Sequence, residues 1–220
     1  MVLEVAPKKT FASALDWPGW ARAGRNEDDA LGALLDYGPR YAAVARRARI
    51  PFAPPATARG LEIVERMRGG SITEFGAPGK AARAEDEPVS GEDLARLVAL
   101  LRASWATLDA VAKKAAGVKL ITGPRGGGRD LAKIIGHVRD AESAYLHKLG
   151  SRAPDLKRSS ALLRLTFTDA LTAVAAGQPV DNPSRTRNVW SPRYAIRRAA
   201  WHVLDHAWEI EDRSAPDSRY

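Results

Sequence analysis

The 220-residue chain has no cysteine. That excludes a disulfide framework, a thiolate nucleophile, an iron–sulfur cluster and every cysteine-type zinc site. Long apolar runs are missing too, and no stretch approaches the roughly 18 consecutive apolar residues of a membrane span. The start, Met-Val-Leu-Glu-Val-Ala-Pro-Lys-Lys, lacks the basic, apolar and small-residue order of a secretory leader. The expectation is a soluble, cytoplasmic protein with no membrane partner. Histidine is scarce, with only four in the chain, so any metal chemistry must rest on those four and on carboxylates.

What is present is globular: 45% hydrophobic residues, 27% charged, and enough length for one large domain or two small ones. Basic residues exceed acidic ones by 34 to 26, a net charge of +8 that invites a nucleic-acid reading. The excess is uneven. Residues 1–90 carry 13 basic and 12 acidic side chains, and the remainder carries 21 and 14. The bases are interleaved with acids and no DNA-reading motif accompanies them, which argues against nucleic acid as the partner. A small-molecule substrate is the expected partner instead, and monomer and homodimer both remain open.

Residues 1–70 read as a small α+β unit. Val2–Val5 and Thr10–Leu15 alternate as short strands joined through Pro7-Lys8-Lys9, in the manner of a hairpin. A third strand follows the Pro18-Gly19 turn, over Trp20–Gly24. Asn26 caps a helix whose first turn, Glu27-Asp28-Asp29, suits the positive end of the helix dipole. Gly38-Pro39 should break or kink that helix. Leu61–Met67 alternates as a returning strand, which predicts an antiparallel ββ(β)αβ unit. Residues 71–90, rich in Gly, Ala, Pro and charge, read as a linker.

Residues 91–213 read as four helices, with 214–220 as a tail. From the Ser90 cap, Leu94, Leu97, Leu101, Trp105 and Leu108 recur every three to four positions. A second stripe carries Ile134, His137, Ala141 and Tyr145, and a third Leu163, Phe167, Leu171 and Val174. Ser191-Pro192, a cap followed by proline at the first helical position, opens the fourth. Four consecutive amphipathic helices are most simply a four-helix bundle. The expected architecture is therefore a two-domain α+β protein.

His202 and His206 sit four apart, so both imidazoles project from one helix face. An HxxxH pair alone is weak evidence for a metal, because a third ligand must come from elsewhere. His137 lies on an apolar stripe, where a hydrogen-bonded core histidine is the plainer reading. If the two faces meet, three neutral imidazoles converge, a donor set suited to Zn²⁺ or Ni²⁺ with a coordination position left open. Asp205 and Glu209 share that helix region. Either could orient an imidazole, complete the coordination or act as a catalytic base. His147 falls on a polar side beside Asp140 and Ser143, and Trp201 and Trp208 read as packing residues.

The segments Ile135-Gly136-His137-Val138-Arg139-Asp140-Ala141-Glu142 and Ala199-Ala200-Trp201-His202-Val203-Leu204-Asp205-His206 resemble two helices of the DinB/YfiT-like metalloproteins. The likeness spans residues 90–213. It implies an antiparallel bundle binding a divalent metal through His137, His202 and His206. Activities in that family include metal-dependent thiol transfer, thiol-dependent isomerisation and hydrolysis, so an external low-molecular-weight thiol is an implied cofactor alongside the metal. Arg125, Arg129, Arg193 and Arg197 are then candidates for holding an anionic substrate at the bundle mouth, although a solvated basic face is the plainer reading of each alone. The stretch Lys8–Trp20, with Asp28-Asp29-Ala30-Leu31, is similar to HicB-like domains. That likeness implies a binding or docking module, and with it an alternative, non-enzymatic function for the whole chain.

Overall fold

The structure, a computed structural model, describes residues 1–122, 127–151, 159–178 and 189–214. Its N-terminal layer is a four-stranded sheet of β1 (Val2–Val5), β2 (Thr10–Ser13), β3 (Ala21–Gly24) and β4 (Glu65–Arg68), in the order β3-β2-β1-β4. The hairpin partners are antiparallel, with Val5 opposite Thr10 and Thr10 opposite Gly24. β4, however, runs parallel to β1, pairing Val2 with Glu65 and Val5 with Arg68. The sheet is thus mixed, which corrects the antiparallel expectation. The cause lies in the connection: α1 (Glu27–Asp36) and α2 (Gly38–Arg47) form a crossover that carries the chain from one sheet edge to the other. Alternation over Leu61–Met67 reveals a strand but not its direction.

Local chemistry sets the helix boundaries. The Asn26 side chain accepts a hydrogen bond from the Asp29 N–H, and Pro39 sits in the first turn of α2, so the break falls at Tyr37. Residues 71–90, expected as a linker, hold a short helix α3 (Ser71–Phe75) and a tight turn at Arg83–Glu85. Two buried glutamates anchor this strap. Glu4 of β1 accepts from the Thr73 hydroxyl and from the N–H groups of Gly79 and Lys80. Glu85 pairs with Arg197 from the far end of the chain.

Four long helices follow: α4 (Gly91–Lys114), α5 (Leu131–Lys148), α6 (Ser160–Ala175) and α7 (Pro192–Ser214). Each of α4, α5 and α6 packs on α7. Leu97, Leu101, Trp105, Ile134, Phe167 and Val203 meet in their shared core. α7 is buried on nearly every side, as a helix enclosed between two layers must be. Its alanines, Ala195, Ala199, Ala200 and Ala207, let neighbouring backbones approach closely.

The core beneath the sheet is not closed by the N-terminal residues alone. Leu3, Ala12, Trp20, Leu34 and Tyr41 cluster with Leu100 and Ala103 of α4 and with Leu204 and Trp208 of α7. At Gly19 (φ +96°), an added Cβ would lie 2.6 Å from Leu204 Cδ1, so only glycine lets the turn before β3 press on α7. The sheet and the long helices therefore share a packed seam.

Candidate metal centre

α5 presents His137 and α7 presents His202 and His206, one turn apart. The candidate ligand atoms of the three histidines all lie within 4.8 Å of one another. Ring centroids are 5.0 Å apart for His137–His202 and His137–His206, and 4.6 Å for His202–His206. His202 and His206 are buried and His137 is half-buried. His137 and the His202–His206 pair, distant in the chain, lie close enough together to bind a metal ion.

The donor set fits such an ion. Nε2 of His202 lies 3.2 Å from Nε2 of His137. Two nitrogens on one tetrahedral zinc ion, each at about 2.0–2.1 Å, stand roughly 3.3 Å apart. The third imidazole is held: His206 Nδ1 donates to Glu209 Oε2 at 2.7 Å, which leaves Nε2 as its candidate ligand atom. Histidine ligands characteristically carry such a carboxylate partner. Glu209 is itself held, because Arg213 Nη1 donates to its Oε1 at 2.7 Å. Arg213, fully buried, also donates to the backbone oxygens of Ile121 and Arg129, so the chain Arg213–Glu209–His206 is tied to the segment preceding α5.

The surroundings of His137 and His202 disfavour their charged forms, and a neutral imidazole is the form that binds metal. Burial, with the neighbouring His206 and Arg198, pushes His202 well below its ordinary value. Burial, His206 and Arg129 lower His137. The hydrogen bonds from His206 and then Arg213 hold Glu209 down to about 2. Gly127 crosses directly over this carboxylate, and an added Cβ would meet Glu209 Oε1 at 2.4 Å.

Beside the histidines, a cavity of about 1150 Å³ opens along the seam between the sheet and α7. Asp205, His206, Glu209 and Arg129 line it, so four of the residues singled out in the sequence share one cavity, whereas His137 and His202 are not among its lining residues. Asp205 is bound by Arg22 of β3 at 2.8 Å, and the Arg22 guanidinium lies 3.6 Å from the Tyr37 ring centre. The other expected arginines fall elsewhere. Arg197 is not a substrate contact: it is 2% exposed and spent on Glu85 and the Lys80 carbonyl. Its helix position looked solvent-facing only because the strap that covers it is remote in sequence. Arg193 pairs with Asp93 at 3.1 Å, near the start of α4. Arg125 lies outside the described residues.

His147 is exposed, as read from its polar side. Trp201 packs edge-on against Phe11 of β2, ring centres 5.9 Å apart, so it seals the seam and not the core among the long helices. The sequence reading missed Lys9, Arg22 and Tyr37 as cavity residues, since only the seam brings them there. Arg213 was legible in principle, four residues after Glu209 on one helix face. No helix among the described residues is long and apolar enough to cross a membrane. Compared with protein-family models, curated proteins and solved structures, the chain matches none. Fold and site thus define an α+β chain with a three-histidine cluster, one member of which, His206, also lines an interlayer cavity.

Proposed function

We propose that this protein is a divalent-metal-dependent enzyme of the thiol-transferase or hydrolase type, acting on a small anionic substrate. In this reading, α4–α7 are the antiparallel four-helix bundle of a DinB/YfiT-like protein, and β1–β4 with α1 and α2 are a HicB-like unit. The observation that carries it is the convergence of three imidazoles, one held by a buried Arg–Glu pair, with His206 also lining a large cavity. His137, His202 and His206 would hold the ion, zinc or nickel by donor type. When bound, a divalent ion supplies Lewis-acid activation of water or of an external low-molecular-weight thiol.

The protein's own groups divide the remaining work. Both oxygens of Glu209 are engaged, so it is a positioning residue for His206 and not a free base. Asp205 lines the cavity beside His206, and we assign it the role of proton acceptor. Arg22 holds that carboxylate in place.

Metal analysis of untagged protein tests the first step. About one equivalent of zinc or nickel is expected, lost in His202→Ala, and an unchanged content in that variant would refute the triad. Turnover on thiol-conjugate and ester panels tests the second, with Asp205→Asn lowering kcat while metal content stays constant. The other reading is a non-enzymatic, metal-containing docking protein. Ile72 and Phe75, 53% and 91% exposed on α3, favour it as a contact surface. A full metal complement without turnover on either panel would support it.

A further inference from the structure

The seam cavity has an imbalance of charge that its own carboxylates do not relieve. Three carboxylates line it, and each already has an arginine: Asp205 pairs with Arg22, Glu209 with Arg213, and Asp212 with Arg40 at 2.7 Å. Two lining cations, Lys9 and Arg129, have no carboxylate partner among the described residues. Lys9 is half-buried at the β1–β2 turn, its Nζ close over Gly76 at the end of α3. Arg129, just before α5, is exposed and lines the same cavity as His206 and Glu209. Phe11 and Tyr37 supply aromatic surface to the same cavity. In the same wall, Trp201 is 5% exposed and its buried indole N–H has no acceptor among the described residues.

We infer that the seam cavity binds a small aromatic or apolar carboxylate, its anionic group held between Lys9 and Arg129 and its body laid against Phe11, Tyr37 and Trp201. Lys9, Phe11 and Tyr37 of this site belong to the N-terminal layer. The sheet is then a wall of the active site, and α7 alone does not make a complete one. The volume exceeds the roughly 300–1,000 Å³ of ordinary ligand pockets, leaving room for a second small molecule beside His206. The inference rests on the histidine cluster being the reacting end of the cavity.

The probe is 1-naphthoate, with neutral 1-naphthamide as its control. Both are titrated calorimetrically into zinc-loaded protein and into chelator-treated protein, with zinc content measured in each sample. Indole N–H resonances are followed by NMR, the Trp201 signal being assigned through Trp201→Phe. Naphthoate is expected to bind more tightly than naphthamide in both samples and to shift the Trp201 resonance. Lys9→Ala and Arg129→Ala should each weaken naphthoate about tenfold or more, the scale of a lost charge-assisted contact, while Lys113→Ala on the outer surface of α4 should not. Equal binding of acid and amide, or naphthoate affinity indifferent to both substitutions, would overturn the cradle. So would affinity that disappears on chelation, which would place the carboxylate on the metal. Zinc retained without naphthoate binding sinks the cradle and leaves the metal reading intact. Naphthoate bound in protein that never takes up zinc does the reverse.

Discussion

The Glu85–Arg197 pair offers the sharpest test of how the chain is assembled. Both side chains are almost fully buried, at 3% and 2% exposed. Arg197 donates through Nε to Glu85 Oε1 at 2.5 Å and through Nη2 to Oε2 at 2.7 Å, a bidentate clasp between α7 and the strap. Nη2 also reaches the Lys80 carbonyl at 2.8 Å, and Glu85 accepts from the Ala82 N–H. Removing only the carboxylate, in Glu85→Ala, leaves a guanidinium buried without a counter-charge, a loss that typically costs about 3–5 kcal/mol. For a chain of 220 residues each kcal/mol is worth roughly 2–4 °C, so Tm should fall by about 6–20 °C. Replacing both partners by apolar residues, Glu85→Leu with Arg197→Met, removes the stranded charge. That variant should lie within about 1–2 kcal/mol of the parent, because buried ion pairs barely repay their desolvation. Urea unfolding followed by circular dichroism and tryptophan fluorescence measures both. A single substitution costing under about 1 kcal/mol, or a double variant as weak as the single, would show that this clasp does not hold the strap on α7.

Three further outcomes are accessible. Burial pushes the Glu142 carboxyl from 4.5 up to about 7, with Arg164 opposing it. The folded state therefore holds that proton more tightly than the unfolded chain. Stability falls as pH rises from 4.5 through 7, by about 3 kcal/mol at most, and then levels off. Glu142→Gln should flatten this slope and stabilise the protein at pH 8 but not near pH 4.5. A slope unchanged between pH 5 and 8 would contradict it. Gly19→Ala, strained at φ +96° and aimed at Leu204, should lower stability by about 1–3 kcal/mol in thermal melts; a neutral result would deny the close approach of that turn to α7. Glu209→Gln, folded by circular dichroism, should weaken metal binding about 10–100-fold in competition titrations, and unchanged affinity would remove Glu209 as the residue that aims His206.

Much of the local structure was legible without coordinates. Asn26 and Ser90 announce helix starts because a side-chain oxygen can satisfy an otherwise unpaired N–H only at such a position, and both do so. His202 and His206 were bound to share a face because four residues make about one helical turn. Contacts between distant segments leave no such local trace. β4 could be seen as a strand, yet its parallel pairing with β1 depended on the path of α1 and α2 across the sheet. The strap over residues 71–90 reads as a polar linker, and only folding turns Glu4 and Glu85 inward to hold it.

The candidate site divides along the same line. Absence of cysteine and the HxxxH spacing determined which side chains could bind a metal, since donor chemistry and helical periodicity are properties of the chain itself. Packing of α5 against α7 brought in His137, the seam brought in Lys9, Arg22 and Tyr37, and burial beneath the strap withdrew Arg197. Each of those outcomes depends on residues dozens to more than a hundred positions apart, whose proximity is set by how layers bury their apolar faces together. Local spacing carries no record of that choice.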